Sequence, residues 1–291
     1  MNDSLADCKV AIVGLGLMGG SLATALRGRC AEIVGVDSNP DTLAFACAHD
    51  IVDRVAEFDA ALECDVLVLA MPVRTILVHL RLVTRAEIRN PKSTVVIDLG
   101  STKSEIVAAM QDLPVGYDPI GGHPLCGKES SGIEVTDAAL FRGARFVLSP
   151  LPRTSDRALA LARQLVAALG ARPLVLDAAT HDRLVATTSH LPYLLACALI
   201  GSAERAADDR VWDIAASGFR DTSRLAGSGA AMMSDILLTN RNEILRALST
   251  VRAELDRLAG LIGSRDESVL RAALDTARER RAQLFKTDRS R

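Results

Sequence analysis

Apolar residues fall along this chain in two different rhythms. In the first half, short runs rich in β-branched residues recur at Val10–Val13, Ile33–Val36, Val66–Ala70, Val95–Asp98, Tyr117–Pro119 and Arg145–Leu148. Stretches with helical spacing lie between them: Ser21–Arg27, Pro40–His49, Val73–Val83 and Lys103–Gln111. Strands alternating with helices predict a parallel sheet joined by right-handed crossovers. A helix over Ser155–Leu169, closed by Gly170 at its C′ position, and a strand over Pro173–Leu176 complete this part. After Leu176 the strand runs stop. Leu184, Thr188, Leu191, Leu195 and Leu199 recur at helical spacing, as do Leu245, Leu248, Leu255 and Leu258. The pattern predicts an α/β sheet domain over residues 1–176 and an all-helical domain over 177–291. Pro192 falls inside the first long helix of that second part and is expected to kink it. The charged end, Arg278–Arg291, is expected to fray.

The turn after the first strand carries chemistry. Val13-Gly14-Leu15-Gly16-Leu17-Met18-Gly19-Gly20-Ser21 joins strand to helix, and Asp37 closes the second strand. Gly14 permits a tight turn, Gly16 lets backbone approach a pyrophosphate, and Gly19 lets helix pack on strand. Leu17 and Met18 stand at the helix start, where unpaired N–H groups and a partial positive charge favour phosphate. Asp37 lies where a carboxylate accepts from a ribose diol and repels a 2′-phosphate, which favours NAD over NADP. These residues predict a Rossmann-type sheet that holds NAD.

Composition narrows the classes. The chain has 291 residues, 49% of them hydrophobic, and a net charge of -2, enough for two domains with their own cores. That charge gives no electrostatic case for nucleic acid or an anionic membrane, and only 3% aromatic residues argues against base stacking. Six cysteines without a CxxC pair read as reduced, mostly buried thiols, with no disulfide and no metal site. Met1–Asp7 is too polar for a signal peptide, and apolar runs such as Val66–Val73 are too short to cross a bilayer. A cytoplasmic protein is expected.

Three further clusters bear candidate groups. Asp98-Leu99-Gly100-Ser101-Thr102-Lys103 follows a strand, where ligands sit in α/β sheets, and offers a hydroxyl and an ammonium. Ser101 or Thr102 could equally cap the helix that begins near Lys103. Gly121-Gly122-His123-Pro124, continuing to Gly132, reads as an irregular loop that carries His123, and a neutral imidazole there could accept an alcohol proton. The structural alternative is a loop histidine bonded to backbone. The third cluster is His181-Asp182, Ser189-His190-Leu191-Pro192-Tyr193 and Gly218-Phe219-Arg220-Asp221-Thr222-Ser223-Arg224. His190 lies off the leucine stripe. Arg220 and Arg224 share a helix face, either as carboxylate forks or as a solvated surface.

Taken in order, GLGLMGGS, DLGSTKSEI, GGHPLCGKESSG, HDRLVATTSHLP and GFRDTSRLA resemble the prephenate/arogenate dehydrogenase (TyrA) family, over about residues 8–245. The resemblance implies NAD-dependent oxidative decarboxylation of prephenate or arogenate in tyrosine biosynthesis, a Rossmann domain and a helical dimerisation domain, hence a homodimer. It implies that His123 accepts a hydrogen bond from the ring C4 hydroxyl, that Ser101 positions that hydroxyl, and that Lys103 supports the region. Glu129 matches a polar gate, Arg224 a carboxylate clamp, Arg220 a position bordering that pocket, and His190 the histidine of the SHLP motif. Two places depart from the family pattern. Tyr193 stands where a second histidine is common, and Gly229–Met233 replaces a segment with Asp-Pro and Trp. Both concern the substrate side, so prephenate and arogenate stay open. The alternative is another two-domain NAD(P) dehydrogenase acting on a β-hydroxy acid or an imino acid. Such enzymes usually rely on a lysine of the second domain, and here that domain has none before Lys286.

Overall fold

The computed structural model describes residues 4–85, 93–128, 130–206 and 208–286. Eight strands form one sheet: β1 Lys9–Val13, β2 Glu32–Val36, β3 Arg54–Val55, β4 Val66–Leu69, β5 Thr94–Asp98, β6 Tyr117–Pro124, β7 Arg145–Pro150 and β8 Arg172–Val175. The helices are α1 Leu17–Leu26, α2 Pro40–Ala48, α3 Phe58–Ala61, α4 Val73–Arg85, α5 Ser104–Gln111, α6 Asp156–Ala168, α7 Ala178–Val185, α8 Leu191–Glu204, α9 Ser217–Ser223, α10 Ala230–Thr239, α11 Arg241–Ser264 and α12 Glu267–Lys286.

The sheet order is β3-β2-β1-β4-β5-β6-β7-β8. Alternation of side chains splits each central strand between two cores. Val10, Ile12, Val66, Val68, Val95 and Ile97 pack with Leu22 and Leu26 of α1 and Leu161 and Leu165 of α6. Ala11, Val13, Leu67, Leu69 and Val96 pack on the other face with Ile76, Leu80 and Val83 of α4 and Ile106 and Met110 of α5. Strands covered on both faces are apolar throughout, which is why they were readable as runs. The short edge pair β3 and the single-turn α3 carry no such run and were not foreseen.

Two expectations about the sheet need correction. It is mostly, not wholly, parallel: β7 pairs antiparallel with β6, with Ile120 opposite Pro150 and Pro124 opposite Phe146. Among the described residues of 125–144 no crossover helix follows β6, and β7 runs back beside it. The same pairing makes Gly121–Pro124 part of β6. His123 therefore sits on a strand, opposite Val147, and not on a loop.

Helix α6 ends as expected: Gly170 has φ +68°, and Gly170 and Ala171 donate to the carbonyls of Ala167 and Val166, closing a Schellman turn. Beyond β8, the helix from Ala178 to Glu204 is interrupted by a π-turn over Ala186–His190, in which the Leu191 N–H reaches the Ala186 carbonyl. Pro192 lies in the first turn of α8, directly after it, so the lost N–H is accommodated by a widened turn. By length and apolar composition this helix could cross a membrane, contrary to the expectation from sequence runs. Only 22% of its apolar window is buried, but it carries buried His181, Asp182 and His190, each hydrogen-bonded to a neighbouring element. Helix α7 packs on α5, and α10 on α4.

Packing divides the chain into two compact units, Met1–Arg241 and Asn242–Arg291. The second unit is helical, with charged pairs along its surface such as Arg257–Glu254 and Arg271–Glu267. Arg278–Lys286 belongs to α12 instead of fraying, supported by the Arg278–Asp275 pair at 3.1 Å; residues 287–291 lie outside the described ones. None of the six cysteines forms a disulfide, but only Cys8 and Cys64 are buried, and Cys47 is exposed.

Candidate active site

The strands β1, β4, β5 and β6 end on one edge of the sheet, and the candidate groups gather there. At β1 the Gly14 N–H donates to the Val36 carbonyl at 2.8 Å, with φ +93°, so the turn is tied to the end of β2. A Cβ on Gly19 would lie 1.8 Å from the Gly14 carbonyl oxygen, so any side chain there would push α1 off the turn. Gly16 caps α1, and a Cβ on it would meet nothing within 4 Å. Leu17 and Met18 then open the helix, whose first N–H groups have no partner within it. Asp37 follows β2. Its carboxylate accepts from the Leu15 N–H at 2.8 Å and the Asn39 N–H at 2.9 Å.

The second group is built from side chains of distant segments. Asp98, at the end of β5, is fully buried and accepts from the Gly100 N–H (2.8 Å), the Gly122 N–H (3.0 Å) and the Lys103 ammonium. Lys103 is fully buried too. Its burial works to deprotonate it and pulls its pKa down, while Asp98 opposes that shift. Lys103 also stands at the N-cap of α5 without a side-chain cap bond, so neither Ser101 nor Thr102 caps this helix as the sequence allowed. Asp182 does so from α7, accepting the N–H groups of Lys103 (2.7 Å) and Ser104 (2.8 Å). Thr102 instead bonds Thr239 at 2.9 Å, and Ser101 is half-buried just before it.

Asp182 also receives the Nδ1 of His181 at 2.8 Å, and the Nε2 of His181 lies 2.8 Å from the Nδ1 of His123. Burial would raise the Asp182 pKa, but the hydrogen bonds from His181, Ser104 and Lys103 outweigh it and hold the carboxylate below its usual range. His123 is held well below 6.5 by desolvation, then by His181, Lys103 and His190, and is an uncharged imidazole at neutral pH. His190 is buried and pushed down to about 4, chiefly by desolvation. Asn240 links the two, donating to the Asp182 carbonyl at 2.8 Å and lying 3.3 Å from His190 Nδ1.

The structure thus joins His123, Lys103 and His190, and adds Asp98, His181, Asp182 and Asn240. The sequence offered a signal for His181-Asp182 as a polar pair at the start of an apolar helix, but nothing in it pointed to His123 as their partner. Arg220 and Arg224 are exposed, on the segment of α9 and the following 3-10 turn that packs against α8. Tyr193 hydrogen-bonds Cys197 one turn on, which with its burial raises the phenol pKa and keeps it neutral. Neither Arg220 nor Tyr193 bonds a member of the cluster among the described residues. Glu129 lies outside the described residues. Among those described, no group of three or more His, Cys, Asp or Glu side chains could hold a metal ion.

Comparison with known proteins decides what this edge belongs to. The family model for the prephenate dehydrogenase nucleotide-binding domain matches residues 22–175, and that for the prephenate dehydrogenase dimerization domain matches residues 177–276. The chain belongs to the prephenate dehydrogenase family. It is an oxidoreductase with a Rossmann-type nucleotide-binding domain. Prephenate dehydrogenase of Lactococcus lactis is 31% identical over 268 residues, covering 90% of this chain and 73% of that protein. The crystal structure of Aquifex aeolicus prephenate dehydrogenase with hydroxyphenyl propionate and NAD+ superposes with a TM-score of 0.89 at 29% identity, covering 97% of this chain and 100% of that one. Synechocystis arogenate dehydrogenase superposes at 0.83 with 30% identity, covering 95% and 100%. Family membership sets aside the β-hydroxy acid and imino acid alternatives, and the similar proteins include both a prephenate and an arogenate enzyme.

Proposed function

We propose that this prephenate dehydrogenase family member oxidatively decarboxylates prephenate or arogenate with NAD. The observation that carries the reading is His123, an uncharged imidazole anchored at the end of β6 in a buried hydrogen-bonded cluster. The residues fit NAD: an open Gly16, the α1 N-terminus and the Asp37 carboxylate stand where a dinucleotide's pyrophosphate and ribose need them, and the similar Aquifex aeolicus protein was crystallised with NAD+. When bound, NAD supplies a hydride acceptor.

The chain's own residues orient the ring and manage a proton. Arg224 clamps a substrate carboxylate, with Arg220 bordering that pocket. Ser101 and His123 hold the C4 hydroxyl, with Lys103 supporting the region, Glu129 in a polar gate, and His190 and Tyr193 on the substrate side. As hydride leaves C4, the hydroxyl proton is shared with His123. It returns to the oxygen when the bond to the departing carbon dioxide breaks and the ring becomes a phenol. Aromatisation drives the step, so positioning and proton acceptance are what the protein contributes. We place the boundary between cofactor and substrate domains at residues 176/177, and the homodimer interface in the helical part, which carries exposed Leu245, Leu255, Leu274 and Leu284 and matches a dimerization domain. A biosynthetic enzyme of this family works in the cytoplasm.

The test is a steady-state comparison of prephenate and arogenate, each with NAD and NADP, following reduced nicotinamide. NAD-linked turnover of one or both substrates is expected, with NAD preferred. No turnover of either substrate with either cofactor would refute the reading.

A further inference from the structure

The chain of bonds behind His123 bears on which of its nitrogens carries the proton. Asp182 is ionised and already accepts two backbone N–H groups from the start of α5, so it can only accept from His181. The Nδ1 of His181 must then be the protonated one. Where that is the one proton on the His181 ring, its Nε2 has a lone pair and accepts from His123 across 2.8 Å. The His123 Nδ1 therefore carries the hydrogen, and its Nε2 is bare. A bare Nε2 is what a proton acceptor for an alcohol requires.

We propose that His181, held by Asp182, is a positioning residue that locks His123 in its Nδ1–H tautomer with Nε2 free to accept. The arrangement costs nothing in flexibility, because every member is fixed by something else. His181 and Asp182 are both 1% exposed, and the ring planes of the two histidines cross at 74° with centroids 5.0 Å apart. Asp182 is pinned by the helix it caps, and its own carbonyl is held by Asn240. When the substrate proton moves onto Nε2, the Nδ1 hydrogen of His123 can shift along the same bond to His181 Nε2. The positive charge then rests beside the Asp182 carboxylate, and the return of the proton to the phenol oxygen reverses both transfers. No further reactant is needed. This role rests on the proposed function for its catalytic meaning, but the tautomer itself is a property of the enzyme without substrate.

The test uses the full-length enzyme and two variants, His181→Leu and His181→Gln. The leucine fills space without accepting a hydrogen bond, and the glutamine can present an amide oxygen to His123. Nitrogen-15 NMR of the histidine side chains at pH 7.5, assigned with His123→Asn, should show His123 as the Nδ1–H tautomer in the wild type. In His181→Leu the Nε2–H tautomer should become substantially populated, and kcat should fall about 10- to 100-fold with the substrate KM and NAD affinity changing less than threefold. His181→Gln should recover most of the Nδ1–H tautomer and at least a threefold part of the lost kcat. The proposal is overturned by a wild-type His123 found as the Nε2–H form, or by a leucine variant whose tautomer and kcat are unchanged. It is equally overturned by a glutamine variant, folded by circular dichroism, that behaves like leucine on both measures. An enzyme that turns over neither cyclohexadienol refutes the functional reading, and the NMR arm still decides the tautomer.

Discussion

The glycine turn at β1 and the histidine cluster at β5 and β6 occupy the same edge of one sheet, and they are made in opposite ways. The turn is local. Gly14, Gly16, Gly19 and Asp37 lie within one strand-helix-strand unit, and the groups offered to a ligand are mainly backbone N–H groups. The cluster draws on β5, α5, β6, α7 and Asn240, and the bonds from α7 to α5, β6 and Asn240 join residues 58 to 79 positions apart in sequence. Backbone dipoles come free with the fold, so the turn depends on the absence of side chains. The cluster depends on buried charges and rings that are stable only as a complete set, because each member left unpaired would carry the desolvation cost of a buried polar group.

The largest expected effect comes from breaking the cluster while sparing the turn. His123→Asn should lower kcat by roughly 10²–10⁴. NAD affinity, measured by fluorescence titration, should stay within about twofold, since no cofactor group is touched. A kcat near that of the wild type removes His123 from the mechanism. The pH profile sharpens the same point. An unperturbed histidine would switch turnover off as pH falls through about 6.5. His123 is held well below that value, so its neutral, accepting form persists on cooling pH through 6.5 and kcat should fall only under more acidic conditions. A drop in kcat centred at or above pH 6.5 contradicts the half-buried, uncharged imidazole.

The contrast between the two regions also explains what the sequence could and could not show. The sheet was readable because its central strands are buried on both faces and so apolar without interruption. The glycine turn was readable because its geometry demands glycine at fixed spacing. The antiparallel β7 was not readable, since a strand's direction depends on how the chain returns and not on its composition. His123 was recognised but given the wrong setting. Two glycines and a proline read as a loop, whereas Gly122 pairs with Leu148 in the ladder of β6 and β7, and glycine is needed there because a Cβ would meet the Asp98 carbonyl oxygen at 2.4 Å. Asp182 capping α5 from another helix, and the pairing of His123 with His181, are tertiary facts that no local pattern carries. Cap residues are sought next to the helix they serve, and here the cap comes from 78 residues away.

A second way to break the comparison lies on the substrate side. Arg224→Ala should raise the substrate KM about 10- to 100-fold, the loss of a charge-assisted hydrogen bond to a carboxylate, with a much smaller change in kcat. The NAD KM should not move. Equal KM values in wild type and variant would show that the carboxylate is held by another group, and Arg220 would be the next to test. In the proposed roles Arg224 contributes to binding alone and His123 acts on the chemical step, so this effect is expected to stay below that of His123.

The smallest effect tests whether the turn is as independent as its construction suggests. Asp37→Ser removes the carboxylate proposed to repel a 2′-phosphate and should shift the NADP-to-NAD ratio of kcat/KM about tenfold toward NADP. Both oxygens of Asp37 also hold backbone, at Leu15 and Asn39, so the serine loosens the glycine turn and should raise the NAD KM as well. Asp37→Asn separates the two consequences. Its amide oxygen keeps one of the backbone bonds while the charge is gone, so a shift in ratio equal to that of the serine, with a smaller rise in NAD KM, assigns the discrimination to charge. An unchanged cofactor ratio in both variants removes Asp37 from ribose recognition and leaves it a purely structural tie. In either variant the acid limb of kcat should coincide with that of the wild type, because Asp37 touches no member of the histidine cluster. A shifted limb would show that the two regions are coupled through the cofactor and not merely neighbours on one sheet edge.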